Sequence, residues 1–354
     1  MPSTVWSLRT SGLRTTDSGQ RTMNRLRWGV LGVAGIATRK VIPAMQKGEF
    51  STVTAIASRS GEKARTAADE LGIAKAYGSY DDLLHDPDVD AIYNPLPNHL
   101  HVPWTKRAAE AGKHVLCEKP IALSAAQARE LIEVRDRTGV QIQEAFMVRS
   151  HPQWLLARSL IREGRIGDVR ALIGVFSYHN DNPANIRNVP EWGGGALMDI
   201  GCYLINTSRF LLGREPVRAS GAIDRDPALK IDRLTSLLLD YGDVHLAGTC
   251  SMQMVYYQRM QVFGSTGLID IRIPFNAPPD RPCEVVVDSG KDLFGGGQEV
   301  LTVPVCDQYT IQGDLFSRAV LEGHPVPEPL EDAVRNMEWI EAVFRSAESG
   351  RWEQ

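Results

Sequence analysis

The residues best suited to chemistry begin in the segment Lys113 to Pro120, which has the sequence KHVLCEKP. An apolar stretch that could form a buried strand ends there in Glu118, Lys119 and Pro120. A strand that ends in charge brings that charge to the carboxyl edge of a sheet, where open α/β folds bind their ligands. Lysine followed by proline is also typical of a plain turn, so a catalytic Lys119 requires partners elsewhere in the chain.

Those partners follow three glycines, Gly193 to Gly195, in the sequence GGGALMDIGCYLIN. The helix predicted there carries Asp199 and Tyr203 four residues apart, on one face. Each residue alone is also ordinary, since tyrosine is common in helix cores and aspartate near a helix start offsets the dipole. A neighbouring Lys119 ammonium would favour the phenolate, and lowering the phenol pKa by about 2 corresponds to roughly 2.7 kcal/mol. We therefore predict an acid-base site made of Lys119, Tyr203 and Asp199.

The first half of the chain alternates between predicted strands and helices. RWGVLGV, TVTAIAS, DAIYNPLP, HVLCEKP and QIQEAF are strand-like, and helical segments separate them. This alternation predicts a doubly wound parallel sheet of the Rossmann type. In the turn Gly32 to Ala37, which includes Ile36, small residues let backbone amides approach a pyrophosphate. Ala34 stands where dinucleotide-binding turns have their second glycine, and Gly35 comes one residue late, so the motif is matched only in part.

The end of the second predicted strand indicates which dinucleotide is bound. NAD enzymes usually place an acidic residue there to bind the ribose 2'-hydroxyl, whereas this chain has Ser58-Arg59-Ser60. A carboxylate would repel a 2'-phosphate, while a guanidinium and a hydroxyl can hydrogen-bond to it. The sequence therefore favours NADP over NAD, and a merely solvated Arg59 is the alternative.

The turn Asn94-Pro95-Leu96-Pro97-Asn98 belongs to the same predicted edge as Lys119. It is either a rigid loop that caps the next helix or a wall against the nicotinamide and its ribose. The histidines that follow it, His99 and His101, are predicted to be structural.

Beyond Phe146 the pattern changes to many short strands, among them VRALIGVFSY, LTSLLLDY and CEVVVDS. This run predicts an α+β domain with a large, mostly antiparallel open sheet. Tyr241-Gly242-Asp243 is typical of a hairpin turn, and LEDAVRNMEWIEAVFRSAESG predicts a closing helix that ends at Gly350. We expect residues 1–23 to be a disordered lead, 24–146 the NADP domain and 147–354 the substrate domain. The outer face of the second sheet predicts a homodimer or homotetramer.

Composition excludes several classes of protein. The 354 residues carry a net charge of -4, which gives no basic face for nucleic acid. No apolar stretch approaches the roughly 18 residues of a membrane span. Residues 1–22 lack the apolar core of an export signal, and Met23 is an alternative start. Five scattered cysteines fit free thiols of a cytoplasmic protein better than disulfides or a metal site: Cys117, Cys202, Cys250, Cys283 and Cys306.

Together these motifs resemble the glucose-fructose oxidoreductase, inositol dehydrogenase and rhizopine catabolism family, written Gfo/Idh/MocA. The resemblance runs from about Leu26 to the C-terminus, through YNPLPNHLH, HVLCEKP, EAFMVRSHPQW, GGGALMDIGCYLIN and CDQYTIQGDLFSRAV. The inositol enzymes carry histidine where this chain has Tyr203. The chain therefore resembles more closely the branch with glucose-fructose oxidoreductase, NADP-dependent D-xylose dehydrogenase and dimeric dihydrodiol dehydrogenase.

The resemblance implies a role for each polar residue. It implies Tyr203 as proton acceptor and donor, Lys119 as its electrostatic partner and Asp199 as substrate orienter, with a cis bond before Pro120. Weaker implications place Arg149 and His151 near the pocket and Tyr309 over the nicotinamide. Taken with the turns above, we expect the cofactor to contact Gly32, Ala34, Gly35, Ile36, Ala37, Ser58, Arg59, Leu96, Pro97, Asn98, Glu118, Lys119, Pro120 and Arg187.

The expected reaction is oxidation of a cyclic sugar or polyol hydroxyl by NADP, most simply the C1-OH of an aldose such as D-xylose or D-glucose. Oxidation of a trans-dihydrodiol and NADPH-dependent reduction of a sugar or dicarbonyl are alternatives on the same groups. A non-catalytic, NADP-sensing regulator is an alternative of another class. The chain lacks the proline-rich arm of glucose-fructose oxidoreductase, so NADP is expected to exchange between turnovers.

Overall fold

The computed structural model describes residues 25–354, so the predicted N-terminal lead lies outside the described part of the chain. The first sheet has six parallel strands in the order β3-β2-β1-β4-β5-β6. This order confirms the predicted doubly wound sheet. The short strand β3 was not predicted, because three half-buried residues carry too little pattern. The strands are β1 (Leu26–Leu31), β2 (Ser51–Ala57), β3 (Lys75–Tyr77), β4 (Ala91–Asn94), β5 (His114–Cys117) and β6 (Ile142–Glu144).

Helices cover both faces of this sheet, and their ends follow ordinary capping chemistry. The side chains of Ser60, Ser79 and Ser124 each accept a backbone amide at a helix start. Gly72 and Gly139 end two of the helices in the left-handed conformation. The helices are α1 (Ile42–Met45), which continues a π turn at Ala37–Val41, α2 (Gly61–Leu71), α3 (Tyr80–Leu84), α4 (His101–Glu110) and α5 (Ala125–Thr138).

The second sheet has eight strands in the order β14-β13-β12-β11-β7-β10-β9-β8. Its pairs are antiparallel apart from β7 with β10, which confirms a mostly antiparallel sheet. Gly242, with φ of 93°, makes the predicted turn between β9 and β10. The strands are β7 (Val169–His179), β8 (Arg218–Arg225), β9 (Asp232–Asp240), β10 (His245–Ser251), β11 (Gln253–Gly264), β12 (Leu268–Ile271), β13 (Cys283–Asp288) and β14 (Gln298–Val303).

Four helices belong to the second half of the chain: α6 (Pro152–Arg162), α7 (Cys202–Leu212), α8 (Gln308–Glu322) and α9 (Leu330–Ser349). The closing helix α9 ends at a left-handed Gly350, as predicted. None of the helices in residues 25–354 is long and apolar enough to cross a bilayer.

The helix α8 returns to the first sheet. The indole of Trp28 in β1 donates to the Ser317 hydroxyl at 3.0 Å, and its ring lies 5.1 Å from that of Phe316. The Asp314 carboxylate accepts the amides of Glu49 and Phe50 at 2.8 and 2.9 Å. The last part of the chain thus completes the core beneath the first strand.

Candidate active site

Lys119 projects from the end of β5 toward the second half of the chain. Its ammonium donates to the backbone oxygen of Asp199 at 2.6 Å and to Oδ1 of the same residue at 3.1 Å. Both side chains are nearly buried, and the peptide bond from Lys119 to Pro120 is cis. Lys119 and Asp199 are 80 positions apart in the sequence and are in contact in the structure.

Asp199 is the centre of this group. Besides Lys119, the Arg187 guanidinium donates to Oδ1 through Nε at 3.0 Å, and the Tyr178 hydroxyl donates to Oδ2 at 2.5 Å. Burial opposes ionisation, but Arg187 and Lys119 outweigh it and keep the pKa of Asp199 below its ordinary value. Tyr178 on β7 was not predicted as a site residue, because the sequence of a strand does not show which of its side chains contacts a carboxylate elsewhere in the chain.

Tyr203 lies beside this group within an aromatic cluster. Its ring packs edge-on against Phe146 and Phe176, with centroids 5.2 and 5.8 Å away, and its hydroxyl lies 3.5 Å from the sulfur of Met147. The Lys119 ammonium sits over the ring, 5.2 Å from its centroid. Lys119 and Tyr203 lie close together, but the ammonium faces the ring of Tyr203 and is hydrogen-bonded to Asp199.

The predicted lowering of the phenol pKa is wrong for the protein in this state. Burial raises the pKa of Tyr203 well above its ordinary value, and the nearby Tyr309 and Glu118 raise it further. The Lys119 charge is neutralised by Asp199 before it can favour the phenolate. Tyr203 is therefore held as a neutral phenol, which is a proton donor.

The helix that carries these residues is not a regular α-helix at its start. Asp199 lies in a π turn, Leu197–Gly201, which leads directly into α7 with Tyr203. Such wide turns are frequent at functional sites. The sequence predicted plain α spacing, because periodicity over so few residues cannot distinguish the two turns.

Asp232 of β9 holds the start of that helix. Its carboxylate accepts the Leu197 amide at 2.7 Å and the Thr235 hydroxyl at 2.9 Å. Gly195, with φ of 125°, would place a Cβ only 1.8 Å from this carboxylate. Contact with Asp232 thus requires a glycine at position 195, and the sequence did not reveal Asp232 as part of the site.

The glycine turn of the first sheet fits a dinucleotide. Gly32 has φ of 83°, and a Cβ there would lie 3.0 Å from Leu96 and 3.5 Å from the Tyr80 hydroxyl. Among the described residues, the amides of Val33, Ala34 and Gly35 donate to no backbone acceptor of a loop or turn, and Val33 and Ala34 are half-buried while Gly35 is exposed. Such free amides before a helix suit a pyrophosphate. Ala34 leaves this cradle open, whereas Ile36 is half-buried and Ala37 is buried against the core.

Arg59 lies close to the same turn. It is exposed, and its positive charge opposes the rise that burial causes in the pKa of Tyr80, whose hydroxyl faces Gly32. Ser58 is half-buried and accepts the Ser60 amide at 3.3 Å. The guanidinium is therefore beside the turn and within hydrogen-bond reach of the Tyr80 hydroxyl.

The loops at the carboxyl edge of the sheet join the second half of the chain. The Asn98 amide donates to the Gly193 oxygen at 2.9 Å, and Leu96 and Pro97 line the same loop. Glu118 accepts the Tyr93 hydroxyl at 2.6 Å, and burial raises the pKa of this carboxyl. Leu96, Pro97 and Asn98 stay predicted cofactor contacts, and the sequence gave no partner for Glu118.

Arg149 and His151, which the resemblance placed near the pocket, make structural contacts. Arg149 pairs with Asp332 of α9 at 2.6 Å. His151 caps α6 by accepting the Gln153 amide, and burial lowers its pKa to about 4. Tyr309, in contrast, is buried close enough to Tyr203 to raise its pKa.

A lysine, an aspartate and a tyrosine at the ligand edge of a Rossmann sheet define a dinucleotide-dependent oxidoreductase. Residues 26–146 match the family model described as "Oxidoreductase family, NAD-binding Rossmann fold", and residues 154–270 match the "GFO/IDH/MocA C-terminal domain". The chain belongs to the Gfo/Idh/MocA family, as its motifs implied.

Relatives cover almost the whole described chain. An uncharacterized oxidoreductase of Rhizobium meliloti is 46% identical over 332 residues, which is 94% of this chain and 99% of that protein. The D-xylose 1-dehydrogenase (NADP(+)) 2 of Haloferax volcanii is 36% identical, covering 91% of this chain and 98% of its own.

A solved structure has the same fold. KijD10, a 3-ketoreductase from Actinomadura kijaniata in complex with NADP and TDP-benzene, matches with a TM-score of 0.85 and 32% identity. The match covers 91% of this chain and 98% of that one. KijD10 has also been solved as a variant with one tyrosine replaced and, separately, as a variant with one lysine replaced. These two positions of KijD10 are as far apart in sequence as Lys119 and Tyr203 are in this chain.

Asp232 makes the stability of the site helix depend on pH. Burial outweighs its hydrogen bonds and raises the pKa of Asp232 to about 6. Between its unfolded pKa of about 3.9 and 6, the folded state holds more protons than the unfolded state, so this contribution to stability falls as pH rises. The variant Asp232→Asn lacks this pH-dependent contribution. The difference in Tm, variant minus wild type, should therefore rise by about 3 °C or more between pH 4 and pH 7.

Differential scanning calorimetry across that pH range measures the difference. The exposed Asp69→Asn on α2 is the control, and its difference from wild type should stay flat. A flat difference for Asp232→Asn as well would show that the buried carboxyl ionises as easily in the folded state as in the unfolded state.

Proposed function

We propose that this chain oxidises a cyclic sugar or polyol hydroxyl with NADP, and that its preferred substrate is an aldose such as D-xylose or D-glucose, oxidised at C1 to the lactone. The observation that carries the proposal is the meeting of Lys119 and Tyr203 around Asp199 at the carboxyl edge of the first sheet. This arrangement supports the proposal because it pairs a cation with a proton-transferring phenol beside the dinucleotide turn. The Haloferax relative named as a D-xylose 1-dehydrogenase supports the substrate.

The chain's own residues divide the work between charge and proton transfer. The bound nicotinamide supplies a carbon that exchanges hydride with the substrate. To oxidise the substrate, Tyr203 must first lose its own proton to solvent, and its phenolic oxygen then accepts the proton of the substrate hydroxyl. Lys119 donates toward the substrate oxygen and stabilises the negative charge that develops on it. Asp199, fixed by Arg187 and Tyr178, holds Lys119 in place and leaves its carboxylate edge for a neighbouring sugar hydroxyl.

NADP is the cofactor that the turn and Arg59 favour. An exposed guanidinium beside Gly32 and the hydroxyl of Ser58 suit a 2'-phosphate. KijD10, the 3-ketoreductase of Actinomadura kijaniata, is solved with NADP. Arg187 stays a predicted cofactor contact, and its Nε donates to Asp199, which holds the guanidinium beside the carboxylate of the site.

Carbonyl reduction is the second candidate reaction. The raised pKa of Tyr203 keeps the phenol protonated, which suits donation to the oxygen of a ketone or aldehyde. The same groups then work in the opposite direction, with Lys119 polarising the carbonyl. Oxidation of a trans-dihydrodiol uses the same proton and hydride positions. A screen of aldoses, diols and dicarbonyls with NADP(H) and NAD(H), followed by nicotinamide absorbance, separates the three.

We also propose that the second sheet forms a homodimer. An uncharged row crosses five strands on its outer face, because Ile173 pairs with Ala247, which pairs in turn with Leu238. Ser220 and Gln261 extend the row on either side. Ile173 is 43% exposed and Leu238 44%. Exposed apolar side chains at the centre of an uncharged sheet face are typical of an interface between copies of a chain.

Lys119→Ala and Tyr203→Phe should each lower kcat at least about tenfold, because each removes a group that acts on the reacting oxygen. Steady-state rates with D-xylose and NADP, or with the best substrate of the screen, measure the loss. Lys113→Ala and Tyr241→Phe are matched controls. Lys113 donates to the carbonyls of Asp86 and Val89 at the other edge of the sheet, and Tyr241 bonds to Ser208. Near-normal turnover in both site variants would remove the assignment.

Arg59→Ala should raise KM for NADP at least about tenfold and leave KM for NAD nearly unchanged, because a charge-assisted hydrogen bond to the 2'-phosphate is lost. Initial rates at varied concentrations of each cofactor give both constants. The exposed Arg65→Ala on α2 is the control. An equal change for both cofactors would place Arg59 away from the 2'-phosphate.

Ile173→Glu combined with Leu238→Glu should halve the solution mass, because two carboxylates in the apolar row would be buried without partners. Light scattering after size-exclusion chromatography measures the mass. Leu293→Glu, on a fully exposed loop residue, should leave the mass unchanged. A wild-type protein that is already monomeric, or a double variant of unchanged mass, contradicts the sheet interface.

A further inference from the structure

His101 occupies an unusual place between two loops of the site. It is the first residue of α4 and only 1% exposed. Its Nε2 lies 2.7 Å from the Leu96 oxygen, and its Nδ1 lies 2.7 Å from the Pro120 oxygen. Both partners are carbonyls, which can only accept a hydrogen bond. One imidazole therefore spans the loop after β4 and the loop after β5.

Each of these two carbonyls belongs to a segment of the proposed site. Leu96 lies 3.0 Å from the position that a Cβ on Gly32 would take, so its loop forms one side of the dinucleotide turn. Pro120 directly follows Lys119, whose ammonium reaches Asp199. A change in the distance between these carbonyls would move the lysine relative to the cofactor loop.

The loop on the Leu96 side is fixed independently of the imidazole. The Asn94 amide donates to the backbone oxygen of His101 and to the Thr105 hydroxyl, both at 3.1 Å. The Leu96 amide donates to the Asn94 side-chain oxygen at 3.3 Å. Asn94 thus orders the turn from within, while His101 is the side chain that connects this turn to Pro120.

The protonation of His101 determines how it makes this connection. Burial lowers its pKa to about 4, the two carbonyls oppose that change, and Lys119 and His99 are the charged or titratable groups that add to it. At neutral pH the ring holds one N–H and donates to one carbonyl at a time. The lone pair of the other nitrogen faces the second carbonyl oxygen, which is a repulsive contact and not a hydrogen bond, so the ring is a donor to one loop and a spacer against the other.

We propose that His101 is a positioning residue for the redox site, which sets the placement of Lys119 against the cofactor-side loop by spanning the Leu96 and Pro120 carbonyls. The inference rests on the proposed function, because it assigns Lys119 to the reacting oxygen. It differs from the expectation drawn from sequence, where His101 was only a structural residue.

Two substitutions separate the halves of this span. A glutamine amide reaches the position of Nε2 and an asparagine amide that of Nδ1, so each retains one contact. His101→Gln should keep the Leu96 contact and lower kcat about tenfold or more, because a small displacement of a catalytic group costs a large part of the rate. His101→Asn should keep the Pro120 contact and raise the Kd for NADPH about three- to tenfold, the range expected for one lost hydrogen bond.

The measurements are kcat and KM with D-xylose and NADP, Kd by NADPH fluorescence, and Tm for every variant. His114→Gln is the control, because His114 is a half-buried histidine of this sheet, accepts the Gln141 amide at 2.9 Å, and lies at the opposite edge. It should change Tm without changing kcat or Kd. His101→Leu, which retains neither contact, should change both kcat and Kd.

The outcome that overturns the inference is a set of His101 variants that differ from wild type in Tm alone, or His101→Gln and His101→Asn with the same change in both readouts. Lys119→Ala, measured alongside, tests the proposed function separately. If Lys119→Ala retains turnover, the proposed function fails, and the inference is then decided by NADPH affinity: an unchanged Kd in His101→Asn overturns it, and a raised Kd supports the span.

Discussion

The contact between the Lys119 ammonium and Asp199 is the interaction on which the rest of the site depends. It joins a loop of the first sheet to a helix of the second domain, and both side chains are nearly buried. A buried ion pair adds little net stability, because desolvation offsets most of the attraction, yet losing one partner is costly. Its main effect is therefore to fix geometry. Arg187 and Tyr178 also donate to the carboxylate, so its charge does not depend on Lys119 alone.

This arrangement also determines the protonation of Tyr203. Because the lysine charge is satisfied by Asp199, it does not reach the phenolic oxygen, and the surrounding aromatic rings leave that oxygen in an apolar setting. Burial then keeps the proton on the phenol. Under the proposed function, a substrate oxygen bound near both side chains would meet a proton on Tyr203 and a positive charge on Lys119.

Much of the fold and of the site could be predicted from the sequence, because the patterns that predict them lie within short segments of the chain. Alternating strands and helices predict a parallel sheet, and KHVLCEKP places a lysine at its ligand edge from a single strand and its end. Asp199 and Tyr203 followed from spacing on one helix. Tyr178, Asp232 and the span made by His101 could not be predicted, because each depends on a contact between residues far apart in the chain. The pKa of Tyr203 was mispredicted because pairing and burial are properties of the assembled site.

The return of α8 to the first sheet has a consequence for how the two halves depend on each other. Trp28, in the very first strand, finishes its packing only against residues near position 316. A chain emerging from the ribosome would therefore hold an indole without its cover until nearly all of it had been made. The nucleotide-binding half is first in order of synthesis, but its core is among the last parts to close.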